Sequence, residues 1–86
     1  MERPWVTSPS YEAAIRVFVA ARKDRGLSQR ALAELLGKPR SFVSKIENRE
    51  RRLDFVEFIA FARALDIKPE DLMADVAAAL PGALEF

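Results

Sequence analysis

Gly37 and Pro39, two residues apart, constrain this chain more than any other feature of it. They divide residues 27–53, LSQRALAELLGKPRSFVSKIENRERRL, into two short helical segments joined by a tight turn. Ser28 can cap the first segment, because its hydroxyl can accept a bond from an orphan backbone N–H. Leu32, Ala33 and Leu36 follow at helical spacing on one face. Gly37 stops the segment at the position where a left-handed residue costs glycine least. Pro39 suits the first turn of the second segment, where its missing N–H is not needed. Val43 and Ile46 give that second helix a buried stripe, and its other face carries Arg40, Ser41, Ser44 and Lys45. A helix that turns cations and hydroxyls outward, braced by a short helix behind it, has the shape and chemistry to enter a DNA major groove.

The flanking sequence supplies three more helices. Ser8 and Pro9 read as an N-cap and a first helical residue. A helix from there to about Arg25 puts Tyr11, Ile15, Phe18 and Arg22 on one stripe, and Gly26 stops it. Asp54 and Glu57 make a D-x-x-E capping box for a fourth helix. Its expected apolar face is Phe55, Phe58, Ile59, Ala62 and Leu65, with Phe61 at an angle to it. Pro69 opens a fifth helix, with Glu70 and Asp71 complementing its N-terminal dipole. Leu72, Met73, Val76 and Leu80 stripe that helix, and Pro81-Gly82 ends it. The expectation is an all-α, compact five-helix domain spanning residues 1–86. Within it lie an N-terminal arm at 1–8, a helix-turn-helix at 28–48, and a C-terminal helix and tail at 69–86.

Charge is distributed unevenly along the chain. Residues 22–52 hold ten cations against four anions, whereas residues 53–86 hold two cations against seven anions. That polarity suits a polyanion-binding face set opposite an acidic one. Cysteine and histidine are both missing from the 86 residues. That removes disulfides, thiolate zinc sites, and the usual general base and metal ligand. No glycine-rich phosphate loop stands out either, so neither an enzyme, a metal, a cofactor nor a small-molecule ligand is expected. The first eleven residues carry no apolar signal core, and no run approaches membrane-spanning length. A cytoplasmic protein with no membrane partner is the expectation.

A longer ordered set of residues resembles one family. The set is Gly26-Leu27-Ser28-Gln29, Leu32-Ala33, Leu36-Gly37, then Ser41-Phe42-Val43-Ser44-Lys45-Ile46-Glu47-Asn48. Ala62-Arg63-Ala64-Leu65 and Pro69-Glu70-Asp71-Leu72 extend it. These residues resemble the Cro and phage-repressor type (XRE-like) helix-turn-helix family, over roughly residues 15–73. The sequence departs from the family's pattern at two positions: Arg49 stands where the family usually has Gly, and Pro39 where Ser or Thr often caps. The resemblance implies a lambda-repressor-like fold and double-stranded DNA as partner. It also implies that Gln29 contacts the phosphate backbone, and that Glu47 pairs with Arg22 as a structural salt bridge rather than touching DNA. Arg40 and Ser41 occupy the first turn of the recognition helix, with Ser44 and Lys45 one turn on, as base-reading candidates. Ser28, Lys38, Asn48, Arg49, Arg51 and Arg52, together with Gln29, are the phosphate-binding candidates.

The expected activity is sequence-specific transcriptional regulation, most simply repression by a homodimer on a palindromic operator. Trp5, Met73, Val76, Leu80, Leu84 and Phe86 form the expected dimer interface, because only part of the fifth helix is needed to close the core. An antitoxin-type role, with the acidic half covering a partner protein, is the competing reading.

Overall fold

The structure, a computed structural model, describes residues 8–85. Its helices are α1 (Pro9–Asp24), α2 (Gln29–Leu36), α3 (Arg40–Glu47), α4 (Phe55–Ala64) and α5 (Pro69–Ala79), and no strand occurs among the described residues. The helix starts follow the capping residues. Ser8 Oγ accepts from the Tyr11 N–H at 3.2 Å, and Ser28 Oγ from the Ala31 N–H at 3.0 Å. Asp54 and Glu57 complete a reciprocal capping box at α4. Pro39 stands one residue before α3, at its N-cap, and offers no side-chain bond there.

Four helices end in one and the same closure. After α2, the Lys38 N–H reaches the Ala33 carbonyl and the Gly37 N–H reaches Glu34, the Schellman pattern. The pattern requires a left-handed residue, supplied by Gly26 after α1 (φ 70°) and Gly37 after α2 (φ 66°). Arg49 after α3 (φ 60°) and Asp66 after α4 (φ 56°) take the same conformation with a full side chain. Their closing bonds, Glu50 N–H to Lys45 and Ile67 N–H to Ala62, are formed as well.

The core draws on every helix. Ile15 and Phe18 come from α1, Leu32 and Ala33 from α2, and Val43 and Ile46 from α3. Phe58, Phe61, Ala62 and Leu65 enter around α4, and Leu72 and Val76 from α5. Phe18 meets Phe58 and Phe61 edge to face, with ring centroids 5.3 and 5.9 Å apart. Such pairs add about 0.5–1.5 kcal/mol beyond their buried area. α2 packs chiefly on α3, and α1 closes over α5.

Two expectations about the apolar faces are corrected. Phe61, not Phe55, completes the inner face of α4: Phe61 is 2% exposed and Phe55 80%. At 100° per residue, positions 58, 61, 62 and 65 share one arc, whereas 55 and 59 fall at its edge. On α5, Val76 is buried, so it belongs to the monomer core and not to the expected dimer stripe. Leu80 is half-buried and lines a cleft with Ser10, Tyr11, Ala14 and Leu84. The tail is fastened there: Ser8 Oγ donates to the Glu85 carbonyl at 2.5 Å, and the Glu85 N–H donates to Ser10 Oγ at 3.0 Å. Trp5 and Phe86, the other two expected interface residues, lie outside the described residues. The apolar side chains that do stay in solvent are Phe55, Val56, Ile59 and Met73, on neighbouring faces of α4 and α5, with Leu35 and Leu84 elsewhere.

Candidate nucleic-acid interface

The helix-turn-helix is locked from behind by a buried charged cluster. Arg22 of α1 grips Glu47 of α3 with two bonds, Nε to Oε2 at 2.7 Å and Nη2 to Oε1 at 2.9 Å. Both side chains are close to buried, 10% and 8% exposed. Arg22 Nη1 also donates to the Leu27 carbonyl, and Gln29 Nε2 donates to Glu47 Oε1 at 2.9 Å. Helices α1, α2 and α3 therefore converge on one carboxylate. Bidentate arginine geometry fixes orientation as well as distance, so the cluster sets the angle at which α3 is presented. The Gln29 side chain, expected at phosphate, is engaged in this brace.

Val43 and Ile46 are fully buried, which turns the opposite side of α3 to solvent. Arg40, Ser41 and Lys45 are exposed there. Ser44 is half-buried, and its hydroxyl donates to the Ser41 carbonyl at 3.3 Å, one turn back in its own helix. Of the four expected base readers, three thus lie on an open face, and Ser44 is partly turned inward.

The loop after α3 is more engaged than its composition suggested. Asn48 is exposed at the end of the helix. Arg49 turns back to α1, where Nη1 stands 3.1 Å from Glu12 Oε2, and its Nε is buried with no partner among the described residues. Arg52 lies 5.3 Å over the Tyr11 ring, and Tyr11 Oη accepts from the Leu53 N–H at 3.2 Å. Burial raises the Tyr11 phenol above its ordinary pKa. Arg51 makes a fork-to-fork pair with Glu57, Nη1 to Oε1 at 2.8 Å and Nη2 to Oε2 at 2.7 Å. Its guanidinium carbon also stands 4.8 Å from the centre of the Phe42 ring, and Lys38 Nζ stands 5.5 Å from it. Phe42 is half-buried, its ring 6.2 Å from Phe61, so it both covers the core and carries two cations.

Arg51 holds the Glu57 carboxyl below the usual carboxylate range, and Glu57 in turn raises the arginine. A depressed carboxyl stabilises the fold fully above its unfolded pKa and loses that contribution as pH falls through its folded one. The Arg51–Glu57 pair is therefore intact at neutral pH. Sequence reasoning did not find the roles of Glu12, Tyr11 and Glu57. Glu57 carried a signal only as the capping-box acid.

Among the described residues, no group of acidic side chains converges as a metal site, and no helix is long and apolar enough to cross a membrane.

Comparison with known proteins agrees with this geometry. A family model described as helix-turn-helix matches residues 19–72. An XRE-family like protein from Pseudomonas syringae pv. tomato str. DC3000 is 43% identical, and the match covers 84% of this chain and 88% of that one, with a TM-score of 0.76. The restriction-modification controller protein C.AhdI from Aeromonas hydrophila is 35% identical, with 72% and 94% covered and a TM-score of 0.66. The clp gene regulator ClgR from C. glutamicum, at 20% identity, shares the fold with a TM-score of 0.74 over 86% of this chain and 96% of that one. No curated protein matches the sequence. The family match spans well over half of the chain and contains the whole helix-turn-helix, with its buried brace and open recognition face. The chain belongs to the XRE-type helix-turn-helix family of DNA-binding transcriptional regulators.

Proposed function

We propose that the protein is a repressor that binds a two-fold symmetric operator as a homodimer, with α3 in the major groove. The observation that carries this reading is the open face of α3, where Arg40, Ser41 and Lys45 stand exposed on a helix whose other side is buried in the core. Arg40 in the first turn is placed to give two bonds to guanine O6 and N7. Lys45 reads one turn further along, and Ser41 contributes weakly because a hydroxyl fits several base edges. The phosphate grip comes from Lys38, Asn48 and Arg52, and from the N-terminus of α2, where Ser28 and Gln29 stand beside free backbone N–H groups. The Gln29 amide carries a second hydrogen besides the one given to Glu47, so one side chain serves both brace and phosphate. Arg49, paired with Glu12, supports the loop from behind.

The subunits meet through the α4–α5 face. Phe55, Val56, Ile59 and Met73 are exposed large apolar side chains grouped on two adjacent helices, and Pro69 and Glu70 line the cleft between them. A second copy fits this face because its rim carries both signs, Arg63 on α4 and Glu70 on α5, so a two-fold contact can place each opposite the other. This face replaces the expected interface of helix 5 and tail.

The test is a titration of DNA from upstream of the protein's own gene, against random duplex of equal length, at several salt concentrations. Arg40→Ala is expected to lose about 1–3 kcal/mol on the specific site and little on random DNA. Equal losses on both would remove Arg40 from base readout.

A further inference from the structure

Arg51 was expected to be a phosphate contact, yet three of its five N–H donors are already taken. Both terminal nitrogens face the two oxygens of Glu57, and Nη1 also donates to the Arg52 carbonyl at 3.0 Å. A carboxylate and a phosphate ask the same fork of an arginine, so Glu57 occupies the end-on fork of Arg51 and sets a negative charge beside it, where a DNA phosphate would stand. Glu57 itself cannot swing aside freely. Its Oε1 accepts from the Asp54 N–H at 3.0 Å, while its own N–H donates to Asp54 Oδ1 at 2.7 Å. The guanidinium also stands over the ring of Phe42 of the recognition helix.

From this arrangement we infer that Glu57 sets the sequence-independent affinity of the DNA interface: it holds Arg51 on Phe42 and withholds that cation from phosphate contact. The inference deepens the proposed DNA-binding function and rests on it. Non-specific affinity grows with each phosphate a cation neutralises, and specific affinity carries the same contribution beside its base contacts. One cation withheld therefore lowers the sequence-independent share of binding and its salt dependence, while base readout by α3 is left as it is. The clamp joins α4 to the recognition helix through a single arginine, so it also keeps the exposed Arg51 side chain beside the first turn of α3.

Glu57→Gln separates this role from helix capping, because glutamine serves at the same capping-box position without the charge. The full chain is titrated with a labelled random-sequence duplex over a salt series, as wild type, Glu57→Gln, Arg51→Ala and the double variant, with melting curves run alongside. Glu57→Gln is expected to bind random duplex about three- to tenfold tighter at low salt, with a salt slope steeper by about one unit per subunit. In the Arg51→Ala background the same change is expected to bring no such gain. An unchanged or weaker Glu57→Gln overturns the inference. So does an equal gain without Arg51, which would reduce Glu57 to one negative charge near DNA. If wild type binds and Glu57→Gln does not respond, the DNA-binding function stands and the role of Glu57 alone fails. If wild type binds no duplex even at low salt, the functional reading fails and this inference with it.

Discussion

Glu47→Ala is expected to destabilise the fold by about 3–5 kcal/mol, a large share of the total stability of a small domain. The substitution leaves the Arg22 guanidinium close to buried with only the Leu27 carbonyl as partner, and strips Gln29 of its acceptor. Removing one member of a buried pair costs more than the pair's net worth, because the other charge stays behind. Thermal unfolding followed by circular dichroism should show a drop in Tm of roughly 12 °C or more. Replacing both partners by apolar residues, Arg22→Met with Glu47→Leu, should recover most of that loss. An unchanged melting temperature in the single variant would show that the cluster does not brace the fold.

The second large effect concerns assembly. Phe55→Asp should convert the proposed dimer to a monomer of unchanged helix content, because the side chain is 80% exposed and an acid is favourable in the first turn of α4. Without its partner, each subunit engages one half-site only, and operator affinity is expected to fall by about 10²–10⁴-fold. Met73→Asp repeats the test on α5, away from the arginine-rich loop, so that an added negative charge near DNA is not mistaken for loss of the dimer. Light scattering gives the mass and DNA titration the affinity. A dimer of undiminished affinity in both variants would rule out the α4–α5 face, and a wild-type chain that is monomeric at every concentration would rule out the dimer itself.

The two apolar faces show where the sequence was legible and where it was not. Helix starts could be read because Ser8, Ser28 and Asp54 announce them chemically, and Gly26 and Gly37 mark two of the ends. The inner face of α4 was harder to read. FVEFIAFARA has only Glu57 and Arg63 as polar landmarks, so its periodicity scarcely separates Phe55 from Phe61. Only the packed neighbours decide, and Phe61 wins because Phe18 and Phe42 close on it. The Arg22–Glu47 pairing was legible through family resemblance, at a separation of 25 residues. The partners of Arg49 and Arg51 were not: Glu12 lies on α1, far away in the chain, and Glu57 already had a local explanation. Counting cations located the basic segment without showing which of them the protein itself neutralises.

The shared closure of four helix ends carries a consequence for how this fold can vary. A left-handed residue is all the geometry demands, and an ordinary side chain there costs roughly 1 kcal/mol relative to glycine. Gly26 and Gly37 meet the demand at no such cost, whereas Arg49 and Asp66 meet it under strain. The turns after α3 and α4 are therefore the places where stability can be raised by a single exchange without touching the core. They are not equivalent. Asp66→Gly leaves the Asp66 carbonyl in place to accept from Arg25, so the bond between α1 and that turn can persist. Arg49→Gly would relax the backbone but remove the link to Glu12, one of the ties, with Arg52 and the Leu53–Tyr11 bond, that hold the arginine-rich loop to α1. Variation at 66 thus adjusts robustness alone, while variation at 49 trades robustness against the rigidity of the surface presented to DNA.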